Sequence, residues 1–382
     1  MTDARADVAD VADVAGLAGL VDELVGDRAG DWDRAGRLPT GLIHELGSKG
    51  VLCAQVPAAY GGPGLSSVQN GELTAHVGSR CSSLRSLMTS HGMAAWTVQR
   101  FGSPEQRAAY LSGFTSGDLA AVAFSEADAG SDLSGMSTLI VSEGDTVRVN
   151  GAKVWITGAD YASHIMVFGR FASGDEAGAG ALLVPADHPG VTIERVPDPL
   201  GCRAAGHANV TLRDVRLPAD SLLAGAGLPL DWLVTAALTY GRLSIAWGCV
   251  GIVQACLGAA VRHTGVRRQF GQVLAAHQLV ARRLADMVAA EQASRLSCAQ
   301  ASRWWDEGAP DLVTAAVTAK YLAAGHAAET ARSAVQLLAS AGAQDGHVVA
   351  RAYRDAKMME LIEGSTEISQ LLLAERARVV WA

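Results

Sequence analysis

The 382-residue sequence predicts an α+β protein with an N-terminal helical domain (1–118), a middle β-barrel or sandwich domain (119–225) and a C-terminal four-helix bundle (226–382). Helical periodicity at both ends and short β-prone runs between them predict this order. The length allows a large core divided among two or three domains.

In the first segment Leu17, Leu20, Val21 and Leu24 recur at i, i+3, i+4 and i+7, the stripe of an amphipathic helix. "SPEQ" at 103–106 is a helix start, with Ser103 as cap, Pro104 at the first position and Gln106 closing a capping box. The middle segment holds "TVRVNG", "KVWIT", "HIMVFG", "GALLVPA" and "VTIERV", separated by turn signals that include Asn150-Gly151. The last segment returns to long helical patterns at roughly 228–264, 274–306, 310–340 and 350–378. Short connections between them favour an antiparallel bundle. The N-terminal "VADVADVAG" reads as a low-complexity helix start or a disordered tail.

Composition excludes several function classes. Lys and Arg number 31 against 39 Asp and Glu, a net charge of −8 that argues against a nucleic-acid partner. The six cysteines show no CxxC pair and read as free thiols of a reducing cytoplasm, and the ten histidines offer no metal-ligand spacing, so no metal is expected. The acidic, Ala-rich start lacks the basic beginning and apolar core of a signal peptide. Leu243 to Val261 carries no charge, nearly a membrane-span length, but Ser244, Gln254 and three glycines suit a buried helix in a tight bundle better. No membrane association is therefore expected.

Four motifs carry the chemistry. "AFSEADAGSDLSG" at 123–135 holds the small-residue loop Ala129-Gly130-Ser131-Asp132, whose backbone N–H groups and hydroxyl suit a phosphate. Taken alone, an ordinary turn explains that loop better, and it is not a GxGxxG fingerprint. "VNGAKVWITGAD" at 149–160 places Trp155 and Thr157 on one face of a strand, as core filler or as a stacking and hydrogen-bonding pair for a flat heterocycle. "GVRRQFGQVLAAHQ" at 265–278 sets Arg267 and Arg268 beside Gln269 and Phe270; paired arginines suit a pyrophosphate, although solvated charge is the usual reading. "MMELIEGSTEIS" at 358–369 ends a helix at Gly364, caps the next at Ser365 or Thr366, and leaves Glu363 in the last turn, where the helix dipole disfavours a carboxylate.

In this order and spacing the motifs, with "AAYGGPGLS" at 58–66, resemble the acyl-CoA dehydrogenase superfamily from about residue 17 to the end. The resemblance implies that family's fold and FAD as cofactor. It places Phe124 and Ser125 at the flavin pyrimidine edge, Gly130 and Ser131 at the pyrophosphate, and Trp155 and Thr157 beside the flavin ring. Arg267, Gln269 and Phe270 match an arm reaching the FAD of a neighbouring subunit, with Gln336 and Gly342 in its partner segment, and Ser365 and Glu367 lie near the FAD phosphates and adenosine. A complete site would then need a homodimer or homotetramer. The sequence departs from the family at Ala339-Ser340, at Ser125 and at Ile362, where the family usually has Gly-Gly, Thr and Tyr. The last change alters the acyl pocket.

The resemblance makes Glu363 the base that removes a proton next to a thioester carbonyl while hydride leaves for the flavin. Some relatives carry their acid at the position held here by Gly241, so no rival is present. Burial and the helix end would raise its proton affinity. "NGELTAHVGSRCSSLRSLMTSHGMAAWTVQR" (70–100), "GCRAAGHA" (201–208) and "GRLSIAWGCVGI" (241–252) resemble more closely the acyl-carrier-protein dehydrogenases that make hydroxymalonyl and methoxymalonyl extender units for polyketides. Those relatives imply a glycerate-derived three-carbon acyl group on a carrier protein, with the electron acceptor left open. Arg85 and Thr89 in "SSLRSLMTS" offer polar contacts to such a group, Arg242 approaches the acid, and Ile362 and Gly364 shape the pocket beside it. A surface location for Arg85 is equally open at this point.

Overall fold

The computed structural model describes residues 14–171, 178–223 and 226–381. Most of the N-terminal "VADVADVAG" lies outside the described residues. Six helices come first: α1 (Val14–Val25), α2 (Ala29–Ala35), α3 (Thr40–Ser48), α4 (Ser67–Arg80), α5 (Ser82–Phe101) and α6 (Pro104–Phe114). The predicted stripe of α1 buries Val21, with Leu17, Leu20 and Leu24 packed at the edge of the same cluster. The capping box is present: Ser103 Oγ accepts from Gln106 N at 3.2 Å and Gln106 Oε1 accepts from Ser103 N at 2.8 Å.

Seven strands follow: β1 (Ala120–Ala123), β2 (Leu139–Glu143), β3 (Thr146–Ile156), β4 (His164–Phe171), β5 (Ala179–Pro185), β6 (Val191–Arg195) and β7 (Ala208–Pro218). They form one mixed sheet: β4 pairs antiparallel with β5 and parallel with β1 and β2, and β2, β3, β7 and β6 continue antiparallel. The expected turn at Asn150-Gly151 is absent, because β3 runs straight through it. The register against β7 shifts between Val149 and Gly151, and Asn150 Oδ1 accepts from Asp214 N at 2.7 Å. The Asn-Gly pair serves here as a bulge rather than a hairpin.

Five helices complete the fold: α7 (Leu230–Val266), α8 (Gln278–Glu307), α9 (Leu312–Leu338), α10 (Val348–Leu361) and α11 (Thr366–Val380), with a hairpin of β8 (Arg268–Gln269) and β9 (Gln272–Val273) between α7 and α8. The pattern expected at 350–378 is two helices, broken at Ile362–Ser365. Helix α7 is long and apolar enough to span a bilayer, yet 72% of its most apolar window is buried within the protein. Small residues on α7 allow this. A Cβ at Gly251 would lie 2.1 Å from the Ala75 carbonyl of α4, and one at Gly248 would lie 2.6 Å from Arg85 Cδ of α5. The helix is therefore the axis of the bundle, packed by α4, α5, α8, α9 and α10.

Candidate active site

A cavity of about 580 Å³ opens where α5, the sheet, α7 and the α10–α11 break meet. Helix α5 is tied to the sheet by two side chains. Ser90 Oγ accepts from Val122 N at 3.1 Å and donates to the Thr157 carbonyl at 3.0 Å, and His91 Nδ1 accepts from Ala120 N at 3.0 Å. This seam aligns Arg85, Ser86 and Thr89 with the cavity.

The sheet supplies Phe124, Ser125, Gly130, Ser131, Trp155 and Thr157 to the cavity lining. The loop that carries the first four is held from below by Glu126, which accepts from Ser137 N, Ser137 Oγ, Thr138 N, Thr138 Oγ1 and Lys153 Nζ. Lys153 also donates to the Phe124 carbonyl at 3.1 Å. Burial opposes both charges, but the hydrogen bonds keep the Glu126 carboxyl far below its usual range, while burial lowers the Lys153 ammonium. Trp155 and Thr157 share the cavity by a different geometry from simple strand alternation. The register slips between Lys153 and Ile156, Trp155 takes a left-handed φ of 58°, and its ring is left 50% exposed.

Sequence reasoning assigned no role to His207, although it lies in the quoted "GCRAAGHA". It is buried at the cavity, its Nδ1 lies 3.2 Å from Thr157 Oγ1, and its Nε2 has no partner. Burial, helped by nearby Arg85, pushes its pKa down to about 4, so the ring is neutral at pH 7.

Glu363 differs from the sequence expectation in one respect. Helix α10 ends at Leu361 with Ile362 as its cap, so Glu363 lies beyond the helix rather than in its last turn, with a left-handed φ of 56°. Gly364 follows at 93°, and Ser365 Oγ caps α11 by accepting from Ile368 N at 3.4 Å. This turn swings the carboxylate inward. Its Oε2 is buried without a hydrogen-bond partner, and burial pushes the pKa up to about 7 against the opposing pull of Arg242, Lys320 and Arg85. The carboxylate sits over Gly241, where a Cβ would fall 2.6 Å from Oε2 and 2.8 Å from Met93 Sδ. Gly241 and Glu363, far apart in the chain, thus meet at one point. Gly241→Ala is expected to displace the carboxylate and lower kcat/KM about 100-fold with the fold unchanged, checked by steady-state kinetics and circular dichroism.

Arg85 is not a surface residue: it is 0% exposed. Its Nη1 donates to Thr89 Oγ1 at 3.2 Å and its Nη2 to the weak acceptor Met359 Sδ at 2.8 Å, while Nε has no partner. Thr89 Oγ1 lies 2.6 Å from Ser244 Oγ. Arg242 is also buried, and its Nε donates to the Glu363 carbonyl at 3.1 Å. Ile362, Gly364 and Ser365 line the cavity as well.

Six predicted residues do not reach this cavity within one chain. Arg267, Gln269 and Phe270 lie exposed on or beside the β8–β9 hairpin, with Phe270 95% exposed at a φ of 50°. Gln336 is exposed on α9, and Gly342 is buried against Leu338 and Val349. Glu367 is exposed in the first turn of α11, where a backbone N–H bond and Ser365 hold its carboxyl below the usual range.

Residues 15–118, 121–215 and 232–378 match, in that order, the N-terminal, middle and C-terminal domains of acyl-CoA dehydrogenase. The chain is 34% identical over 348 residues to the human mitochondrial short-chain specific acyl-CoA dehydrogenase, covering 90% of this chain and 83% of that one. Its fold is similar to that of FkbI, described as acting in biosynthesis of the methoxymalonyl extender unit of the Fk520 polyketide immunosuppressant, with 55% identity, a TM-score of 0.91 and coverage of 95% and 99% of the two chains. It is similar also to butyryl-CoA dehydrogenase from Megasphaera elsdenii, at 26% identity, a TM-score of 0.90 and coverage of 96% and 98%. The chain is an FAD-dependent oxidoreductase of the acyl-CoA dehydrogenase family.

Proposed function

We propose that this enzyme oxidises a short, polar, glycerate-derived acyl group presented as a thioester on an acyl carrier protein, toward hydroxymalonyl-carrier protein for polyketide extender-unit supply. The observation that carries the reading is Arg85, a fully buried guanidinium bonded to a hydroxyl and a thioether rather than to an acid, in the same cavity as Glu363. A buried cation without an ionic partner is costly in the free protein. An acyl group that is or becomes a carboxylate removes that cost. The 55% identity to FkbI supports the same pathway. The six buried free thiols suit a reducing cytoplasm.

The sheet face suits FAD. Trp155 offers an exposed ring, Gly130 leaves its backbone open, and His207 Nε2 and Thr157 offer polar atoms at the same wall. Phe124, Ser125, Gly130, Ser131, Trp155, Thr157 and Ser365 would hold it from one chain. Arg267, Gln269, Phe270, Gln336 and Glu367, all exposed in one chain, would complete the site through a second subunit, with buried Gly342 packing beneath that segment. Bound there, FAD supplies the hydride acceptor.

Glu363 acts as the base. For the hydrate of a 2-hydroxy-3-oxopropionyl thioester, the carboxylate takes the hydroxyl proton at C3 as the C3 hydride departs, which leaves a carboxylic acid that ionises beside Arg85. A base with a pKa of about 7 is matched to neutral pH. Because only the ionised carboxyl accepts a proton, kcat/KM is expected to rise with pH through about 7, tenfold per pH unit below that value.

Anaerobic mixing of holoenzyme with glyceryl-, 2-hydroxy-3-oxopropionyl- and butyryl-thioesters, each on carrier protein and on CoA, tests the reading by bleaching of the flavin band. Bleaching by the semialdehyde on carrier protein is the expected result. The 34% identity to short-chain acyl-CoA dehydrogenases favours a conventional α,β-dehydrogenase as the second reading, and reduction by butyryl-CoA alone would establish it.

A further inference from the structure

The turn that presents Glu363 consists of two consecutive left-handed residues, the first of them not glycine, at a helix C-terminus whose carbonyls lack intrahelical partners. A left-handed non-glycine residue is strained and persists only where surrounding groups fix it. Here two cations from different helices do so. Arg242 of α7 donates to the carbonyl of Glu363 at 3.1 Å, and Lys320 of α9 donates to the carbonyl of Gly364 at 2.6 Å. Lys320 is only 1% exposed, and it lies on the apolar stripe of α9 with Ala316, Ala323 and Ala327.

We infer that Lys320 is a positioning residue for the base, holding the Gly364 peptide so that the Glu363 carboxylate stays over Gly241, and adding a positive field beside that carboxylate. The inference rests on Glu363 being the base. Lys320 touches no reacting atom and acts through the turn and through its charge. A burial-driven fall in its own proton affinity is opposed by Cys249, Glu363 and Glu360. The other charged or titratable groups around the carboxylate are Arg85 from α5, Arg242 from α7 and neutral His207 at the cavity wall, while Glu360 on α10 faces Lys320. The three cations all favour its ionised form, so removing one raises its pKa.

Lys320→Met keeps the length of the side chain and loses both donor and charge, whereas Lys320→Gln keeps a donor and loses the charge. In the FAD-loaded enzyme, Lys320→Met is expected to slow flavin reduction tenfold or more and to move the rising limb of its pH profile upward by roughly half a pH unit or more. Lys320→Gln is expected to show the same pH shift with a smaller loss of rate. Infrared difference titration against the Glu363→Gln background follows the carboxyl directly and needs no substrate, so it reports on Lys320 whichever thioester is used. An unshifted carboxyl titration in both variants, or loss of rate with an unshifted profile, overturns the inference and leaves Lys320 a packing residue. Failure of the base assignment shows separately, as full activity in Glu363→Gln. If Lys320→Met does not fold, the shift in Lys320→Gln alone decides.

Discussion

Glu363→Gln is expected to lower turnover about 1,000-fold or more, in the range of a lost general base, while the purified protein stays yellow with FAD. Single-turnover flavin reduction measures the loss, and activity equal to the parent would refute the assignment. The same substitution has a stability signature of defined sign. Burial raises the folded-state pKa of Glu363 to about 7, above the value of about 4.3 expected in an unfolded chain. The stability it contributes is therefore complete below the unfolded value and is lost as pH rises through 7, by about 4 kcal/mol in all. Gln does not ionise. The variant is expected to gain in apparent Tm relative to the parent between pH 4.5 and pH 8, with the parent's own Tm falling over the same interval.

Arg85→Met is expected to reduce kcat/KM for the semialdehyde thioester by about 30- to 1,000-fold, the range for loss of a buried charge pair. Its kcat/KM for butyryl-CoA is expected to stay level or improve, because an aliphatic group gains an apolar wall. The free variant is expected to be no less stable than the parent, since a buried guanidinium bonded only to Thr89 and a thioether is replaced by a side chain of similar length. Parallel kinetics with the two thioesters check the first two outcomes and thermal unfolding checks the third. An equal loss with both thioesters would remove Arg85 from acyl-group recognition and make it a structural residue.

The two substitutions separate what the site does from what it selects. As the proposed base, Glu363 would serve any substrate whose reaction needs proton removal. On the proposed reading Arg85 discriminates among acyl groups by their charge. Both side chains are held by the same small-residue region of α7, since Gly241 makes room for the carboxylate and Gly248 for the Arg85 stem. Gly248 and Gly251, which bring α7 close against α5 and α4, are the physical reason the long uncharged run in the sequence belongs to the bundle interior.

The sequence by itself determined the order of helical, β and helical segments and the family, and it singled out Glu363 as the candidate acid. It could do so because four motifs of characteristic composition recur at fixed separations, and such spacing survives without knowledge of contacts. The capping box at Ser103 and the cap at Ser365 were legible for a similar reason, since both are local hydrogen-bond patterns. Only the tertiary structure decided the rest. Asn150-Gly151 became a bulge because β7 pairs on through it, which no local propensity records. Arg85 became buried because α5 is enclosed on nearly every side, so its periodicity marks no outer face. Lys320 left a faint trace as a lysine on an apolar stripe, but its carbonyl partner lies 44 residues away. Glu363 was readable as an acid in an unfavourable place. Its elevated pKa depends on burial over Gly241, a contact between residues more than 120 positions apart that exists only once α7 and the α10–α11 turn are packed together.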